Sequence, residues 1–189
     1  LVVAGDVVFR GANARLSASL YEFDRGDLPS EQLAVEGDTS RILELADGLA
    51  TRLIAAHYHS PREHLARAAA LSAHSVAALK AYLRGDAALR SGRYADAADE
   101  FERAAAAQTG FALAYYRLSI AAERCGRDTL ASVASELAIS ASDSLQDRER
   151  RLLLAYAASR GGRSEAAQRM LRQILDEYPD DIEAWSILG

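Results

Sequence analysis

The chain has 189 residues, half of them hydrophobic and 26% charged, with a net charge of −5 and an isoelectric point near 5.4. This balance offers no phosphate-binding face and excludes nucleic acid as an expected partner. Cys125 is the only cysteine, which excludes an intrachain disulfide, and no apolar run approaches membrane-spanning length.

Residues 1–60 are the acidic part, with five Arg against nine Asp and Glu. Val2 to Phe9 is rich in β-formers, and Gly11-Ala-Asn13 is a turn cluster. Residues 15–22 then alternate, with Leu16, Ala18 and Leu20 on one face. Asp24-Arg-Gly26-Asp27 marks another turn, and Leu33 and Val35 alternate in a third strand. Residues 40–56 change to helical period, with Ile42, Ala46, Leu49 and Leu53 on one stripe. Three strands and one helix make a small core, so another body or an upstream portion is expected to cover the sheet. Both ends of the chain read as cut from something longer.

Ser60-Pro61-Arg62-Glu63 has capping-box form with Pro at the first helical position. It predicts a connecting helix reaching about Leu71, with Ser72 or Ser75 capping the helix that follows.

From there the chain repeats itself. Arg90-Ser-Gly-Arg93 returns as Arg124-Cys-Gly-Arg127 and as Arg160-Gly-Gly-Arg163, at separations of 34 (90 to 124) and 36 (124 to 160). Five residues past the central glycines stand Ala97, Ala131 and Ala167. Phe101, Ser135 and Leu171 follow, then Ala104, Ala138 and Ile174. Gly85, Ser119 and Ala155 each precede the glycine by seven. Small residues thus recur where two helices would cross closely. Gly92, Gly126 and Gly162 read as helix C-terminal signals, and the preceding Arg complements the negative helix end. Ser144-Leu-Gln-Asp147 has capping-box form and predicts the start of a third unit. Pro179 and then Trp185-Ser-Ile-Leu-Gly189 follow.

This pattern resembles the tetratricopeptide repeat, a 34-residue helix-turn-helix unit with a W-x2-L-G…A-x3-F…P signature. The resemblance covers residues 75–189, with repeats at about 78–111, 112–145 and 148–181 and a fourth beginning at 182. Ala81 and Arg151 depart from the aromatic position that Tyr115 fills, and a two-residue insertion falls around Ser142-Asp143-Ser144. The order of the front end resembles the second half of the TolB-like domain, which bacterial signalling proteins carry before such repeats. The implied fold is mostly α: a helical-hairpin solenoid preceded by a partial α/β unit over 1–59 and a connecting, capping helix over 60–74.

Other consequences follow from the family resemblance. The first helix of each repeat lines a concave groove, with the fifth, ninth and thirteenth repeat positions facing it. Here these are Tyr82, Tyr116 and Leu152; Asp86, Ile120 and Tyr156; and Arg90, Arg124 and Arg160. Tyr115 is assigned to packing between helices. A ladder of arginines beside aromatic side chains suits a peptide bearing carboxylates, because Arg grips carboxylate with two parallel hydrogen bonds. The plainer account of Arg-x-Gly-Arg is punctuation at a helix end.

Chemistry has little purchase in this sequence. His57, His59, His64 and His74 cluster, and a His-x-His pair invites zinc, but no Cys or carboxylate completes a ligand set. Cys125 sits between arginines without a neighbouring His or a second Cys. Glu100 and Glu102 read as a solvated helix face, and no phosphate loop, kinase loop or nucleophile elbow occurs. The expectation is a non-catalytic interaction module without cofactor or metal, the regulatory C-terminal part of a larger bacterial signalling protein. The effector would be a Ser/Thr kinase, a cyclase or a transcriptional regulator. The alternative is a self-association scaffold that dimerises through its repeat ends; a metal-binding or hydrolytic enzyme is remote. The cytoplasm is the expected compartment, or the far side of a membrane if an upstream kinase is joined through a membrane span.

Overall fold

The computed structural model describes residues 2–21, 29–57 and 64–189. Period-two alternation gives the first layer. Strands β1 (Val2–Arg10), β2 (Asn13–Tyr21) and β3 (Glu31–Asp38) form an antiparallel sheet in the order β1-β2-β3. Gly11, at φ 60°, supplies the left-handed conformation that the tight β1–β2 turn requires. Leu16 lies between Val7 of β1 and Val35 of β3 in the register, so Ala14, Leu16, Ala18 and Leu20 share one buried face.

Helix α1 (Ile42–His57) lies on β2 and β3. Leu49 joins Ala14, Leu16 and Ala18 in a core edged by Leu33, Val35, Ile42, Leu45 and Leu53. The helical period expected from residue 40 begins instead as a 3-10 turn, Thr39–Arg41. Ser40 donates from its backbone N (2.8 Å) and from Oγ (2.6 Å) to the Asp38 carboxylate, which holds that carboxyl below its ordinary value. β1 is exposed along its whole length. Val3, Val7 and Phe9 pair with Leu20, Leu16 and Ala14, so they continue the apolar face past its core, and Phe9 is 62% exposed.

The Asp24–Asp27 turn, the Ser60–Glu63 capping box and His59 lie outside the described residues. Helix α2 (His64–Ser72) follows, burying Leu65, Ala66, Ala69 and Ala70. The remaining helices are α3 (Val76–Arg90), α4 (Tyr94–Ala107), α5 (Ala112–Arg124), α6 (Asp128–Ser140), α7 (Asp147–Arg160), α8 (Ser164–Glu177) and α9 (Ile182–Leu188). The protein is therefore mostly helical, with a small antiparallel sheet at its front. α3 packs on α4, α5 on α6 and α7 on α8, and one continuous core runs from Ala55 to Ala184. Of the two serines considered as caps, Ser75 caps α3, its Oγ accepting from Ala78 N. Ser72 instead donates to the carbonyls of Ala68 and Ala69.

Arg-x-Gly-Arg is one structural device used three times. Its first Arg ends α3, α5 or α7. The glycine takes positive φ: 72° at Gly92, 77° at Gly126 and 73° at Gly162. The last Arg then donates its N–H five residues back, Arg93 to Ala88, Arg127 to Ala122 and Arg163 to Ala158, at 2.8 to 3.0 Å. Its own carbonyl opens the next helix by accepting from Ala97, Ala131 or Ala167. This bond pattern satisfies carbonyls that a helix end leaves free, and only glycine adopts the reversal without strain.

One sequence expectation is corrected here. Ser144 does not cap α7: its hydroxyl donates to Ala141 O within a 3-10 turn, and Gln146 precedes α7 with no side-chain cap. The inserted residues form that turn and leave Ser144 outside the helix start.

α2 packs on α1, α3 and α5. The Gln108 side chain accepts from His74 N (2.7 Å) and donates to Ser72 O (3.0 Å), tying the end of α2 to the α4–α5 turn. Ala68 and Leu71 border a small hollow with Leu145, Gln146 and Glu149. His64, at the other end of α2, borders another with residues 177–181. One short helix thus contacts α5 and borders hollows at the approaches to α7 and α9.

Candidate functional site

One hollow has a volume of about 620 Å³ and is open to solvent. Its walls are the C-terminal ends of α3 and α7, α5 from Tyr116 to Arg124, the start of α4, and α9. Six of the nine sequence-assigned groove residues line it: Arg90, Tyr116, Ile120, Arg124, Tyr156 and Arg160. The shared position of the arginines follows from the repeated turn, which ends each first helix at the same edge.

The other three sit beneath it or in the core. Tyr82 is fully buried, its ring 5.5 Å from both Phe101 and Phe111. Leu152 is fully buried in the continuous core. Asp86 is buried and joins Arg90 and Arg117, each at 3.2 Å. Tyr82 is covered by Phe101 and Phe111 and Asp86 by its two arginines, which a periodicity count does not reveal. Tyr115, assigned to interhelix packing, lies partly buried against that core.

Arg117 and Glu183 are the residues that sequence reasoning missed. Arg117 is buried, and its Nη1 and Nη2 donate to the two carboxylate oxygens of Glu183 at 3.2 and 2.7 Å. Burial opposes its charge, but Glu183, Tyr82 and Asp86 outweigh this and raise its pKa well above the ordinary value. A signal was present: Arg117 is the only charged residue in the stretch 112–122. A charge inside an apolar helix needs a buried partner.

The α5–α7 wall is built differently. Tyr156 Oη donates to Glu123 (2.6 Å), and its ring meets Tyr116 edge-on at 5.4 Å. Arg160 Nε lies 3.6 Å from the Glu123 carboxylate. Its Nη1 is buried without a partner. Arg124 is exposed and makes no ion pair or hydrogen bond among the described residues. Burial pushes the Tyr116 and Tyr82 hydroxyls up; burial and then the Glu123 bond do the same for Tyr156. Neutral phenols therefore stand beside guanidinium groups throughout the ordinary pH range.

The chain matches no family model, and no curated protein is similar to it in sequence.

Among the described residues, no three His, Cys, Asp or Glu side chains gather where a metal ion could sit. Cys125 is half-buried, with Sγ donating to Ala122 O. No described helix is long and apolar enough to cross a membrane. What the hollow offers is guanidinium donors, aromatic edges and the aliphatic side chains Leu89, Ile120 and Ile187.

Proposed function

We propose that the chain is a non-catalytic protein-interaction module whose hollow takes an acidic peptide segment of a partner. The hairpins α3–α4, α5–α6 and α7–α8 are read as tetratricopeptide repeats, with α9 opening a fourth. The front sheet and α1 are read as part of a TolB-like unit. On this reading the chain is the regulatory C-terminal part of a bacterial signalling protein. The observation that carries it is the convergence of Arg90, Arg124 and Arg160 on one open hollow beside Tyr116 and Tyr156. Guanidinium groups select carboxylates, and a preformed surface lowers the ordering cost of binding. The test is a fluorescence-anisotropy screen of acidic peptides, repeated with Arg124→Glu. The reading expects an acidic peptide to bind the parent chain saturably, and a screen in which none binds removes it; the charge reversal reports whether Arg124 carries the contact.

The second reading is self-association through the last helices. Ile182 is exposed on α9, and Trp185 there is 55% exposed, beside an exposed Tyr178. Apolar side chains clustered on one surface favour burial against a second copy. Light scattering over a dilution series, with Trp185→Ser alongside, tests this. A monomer at all concentrations ends it.

A further inference from the structure

We infer that the arginines around the hollow divide into two sets: Arg90 and Arg117 hold the fold, whereas Arg124 and Arg160 bind one carboxylate of the incoming segment. This rests on the interaction-module reading and specifies where in the hollow the ligand's charge goes. The division comes from how each guanidinium is already compensated. On the α3–α5–α9 side, two cations, Arg90 and Arg117, face two carboxylates, Asp86 and Glu183, and every pairing lies between 2.7 and 3.2 Å. That side is neutral and its carboxylate positions are filled from within. Glu183 occupies Arg117 with the two-pronged geometry that an external carboxylate would use.

The α5–α7 side is left with excess charge. Arg124 and Arg160 face one carboxylate, Glu123, which also accepts from Tyr156 Oη. Arg160 holds Glu123 only at 3.6 Å, and its buried Nη1 has no acceptor; the Arg117 Nε also has none, but both of its Nη groups are already held by Glu183. A buried donor without an acceptor is costly, and an oxyanion entering this wall satisfies it. Arg124 is exposed and unpartnered, so it closes on the same anion without first giving up a bond. Tyr156 and Ile120 supply apolar surface beside it.

The test uses the whole chain with ¹⁵N-labelled arginine, titrated with glutarate and with an oligoglutamate peptide. The Nε–Hε signals of Arg124 and Arg160 are expected to shift, with those of Arg90 and Arg117 nearly still. Arg124→Gln and Arg160→Gln should each weaken oligoglutamate binding by about tenfold or more, the size of a lost charge-assisted hydrogen bond. Arg90→Gln should do so by less than about threefold, since its charge is already met by Asp86. Arg127→Gln controls for net charge, because Arg127 pairs with Asp99 away from the hollow. Peptide binding that survives in Arg124→Gln and Arg160→Gln overturns this assignment while leaving the interaction module intact. Glutarate shifts at Arg124 and Arg160 without peptide binding uphold the anion site and defeat the peptide reading. No shift at either arginine with either probe defeats the site outright.

Discussion

Arg117 on α5 and Glu183 on α9 stand 66 residues apart in sequence, yet they meet in a two-pronged ion pair at 2.7 and 3.2 Å. The same guanidinium also holds Asp86 of α3 at 3.2 Å. Three helices are thereby tied at one buried point. Removing the cation strands Glu183 and leaves Asp86 with Arg90 alone, so Arg117→Ala is expected to cost about 3–5 kcal/mol, the range for breaking a buried pair by losing one partner. Glu183→Gln keeps Arg117 paired with Asp86 and should cost clearly less. Urea unfolding of the two variants measures the difference, and equal losses contradict the account.

The crossing of α3 and α4 depends on the absence of a side chain at Gly85. A Cβ built there lies 2.8 Å from the Phe101 ring, and that ring is fully buried and wedged against Tyr82. The ring has no free direction of retreat. Gly85→Ala is therefore expected to destabilise by about 1–3 kcal/mol through overpacking, although alanine is the better helix former. A thermal midpoint at or above that of the parent chain would show that the helices separate at little cost.

Gly85 also shows what the sequence made legible. Small residues recurring seven before each motif glycine announced close helix crossings, and the glycines announced the turns, because both demands are local. The alternation of Leu16, Ala18 and Leu20 likewise announced the buried face of β2. What escaped was long-range. The Arg117–Glu183 contact joins residues 66 apart in sequence, and the packing of α2 on α1, α3 and α5 depends on a connection with no period of its own. Tyr82 and Leu152 occupy the same repeat position as Tyr116, yet only Tyr116 borders the hollow. Position within a repeat fixes which side of a helix a residue is on, and the neighbouring helices decide whether that side is covered.

The front sheet separates exposure from hydrophobicity. Leu16 and Phe9 are both large and apolar, and they share a face of the sheet. Leu16 is 6% exposed under α1, whereas Phe9 is 62% exposed. Leu16→Ala is expected to cost about 2–5 kcal/mol by opening a cavity. Phe9→Ser should stay within about 0.5 kcal/mol, as at an ordinary surface site. Denaturant midpoints of the two variants test the contrast. A large loss for Phe9→Ser would mean that β1 is covered in solution.

Alkali should unfold the chain through its buried phenols. Tyr82 and Tyr116 are fully buried, and burial raises both above the ordinary tyrosine value of 10.0. The sign follows from proton counting. Above pH 10 the unfolded chain releases these protons and the folded chain keeps them, so the folded state binds more protons and stability falls as pH rises. Each of the two tyrosines contributes up to about 1.4 kcal/mol per pH unit in that range. Absorbance of tyrosinate near 295 nm should therefore rise in two stages. The more exposed of the eight tyrosines ionise gradually. The remainder appear in one step that coincides with loss of helical circular dichroism. In Tyr116→Phe that step should shrink and move to higher pH, because one destabilising ionisation is gone. A smooth titration of all eight with helicity intact would mean that hydroxide reaches the floor of the hollow in the folded protein.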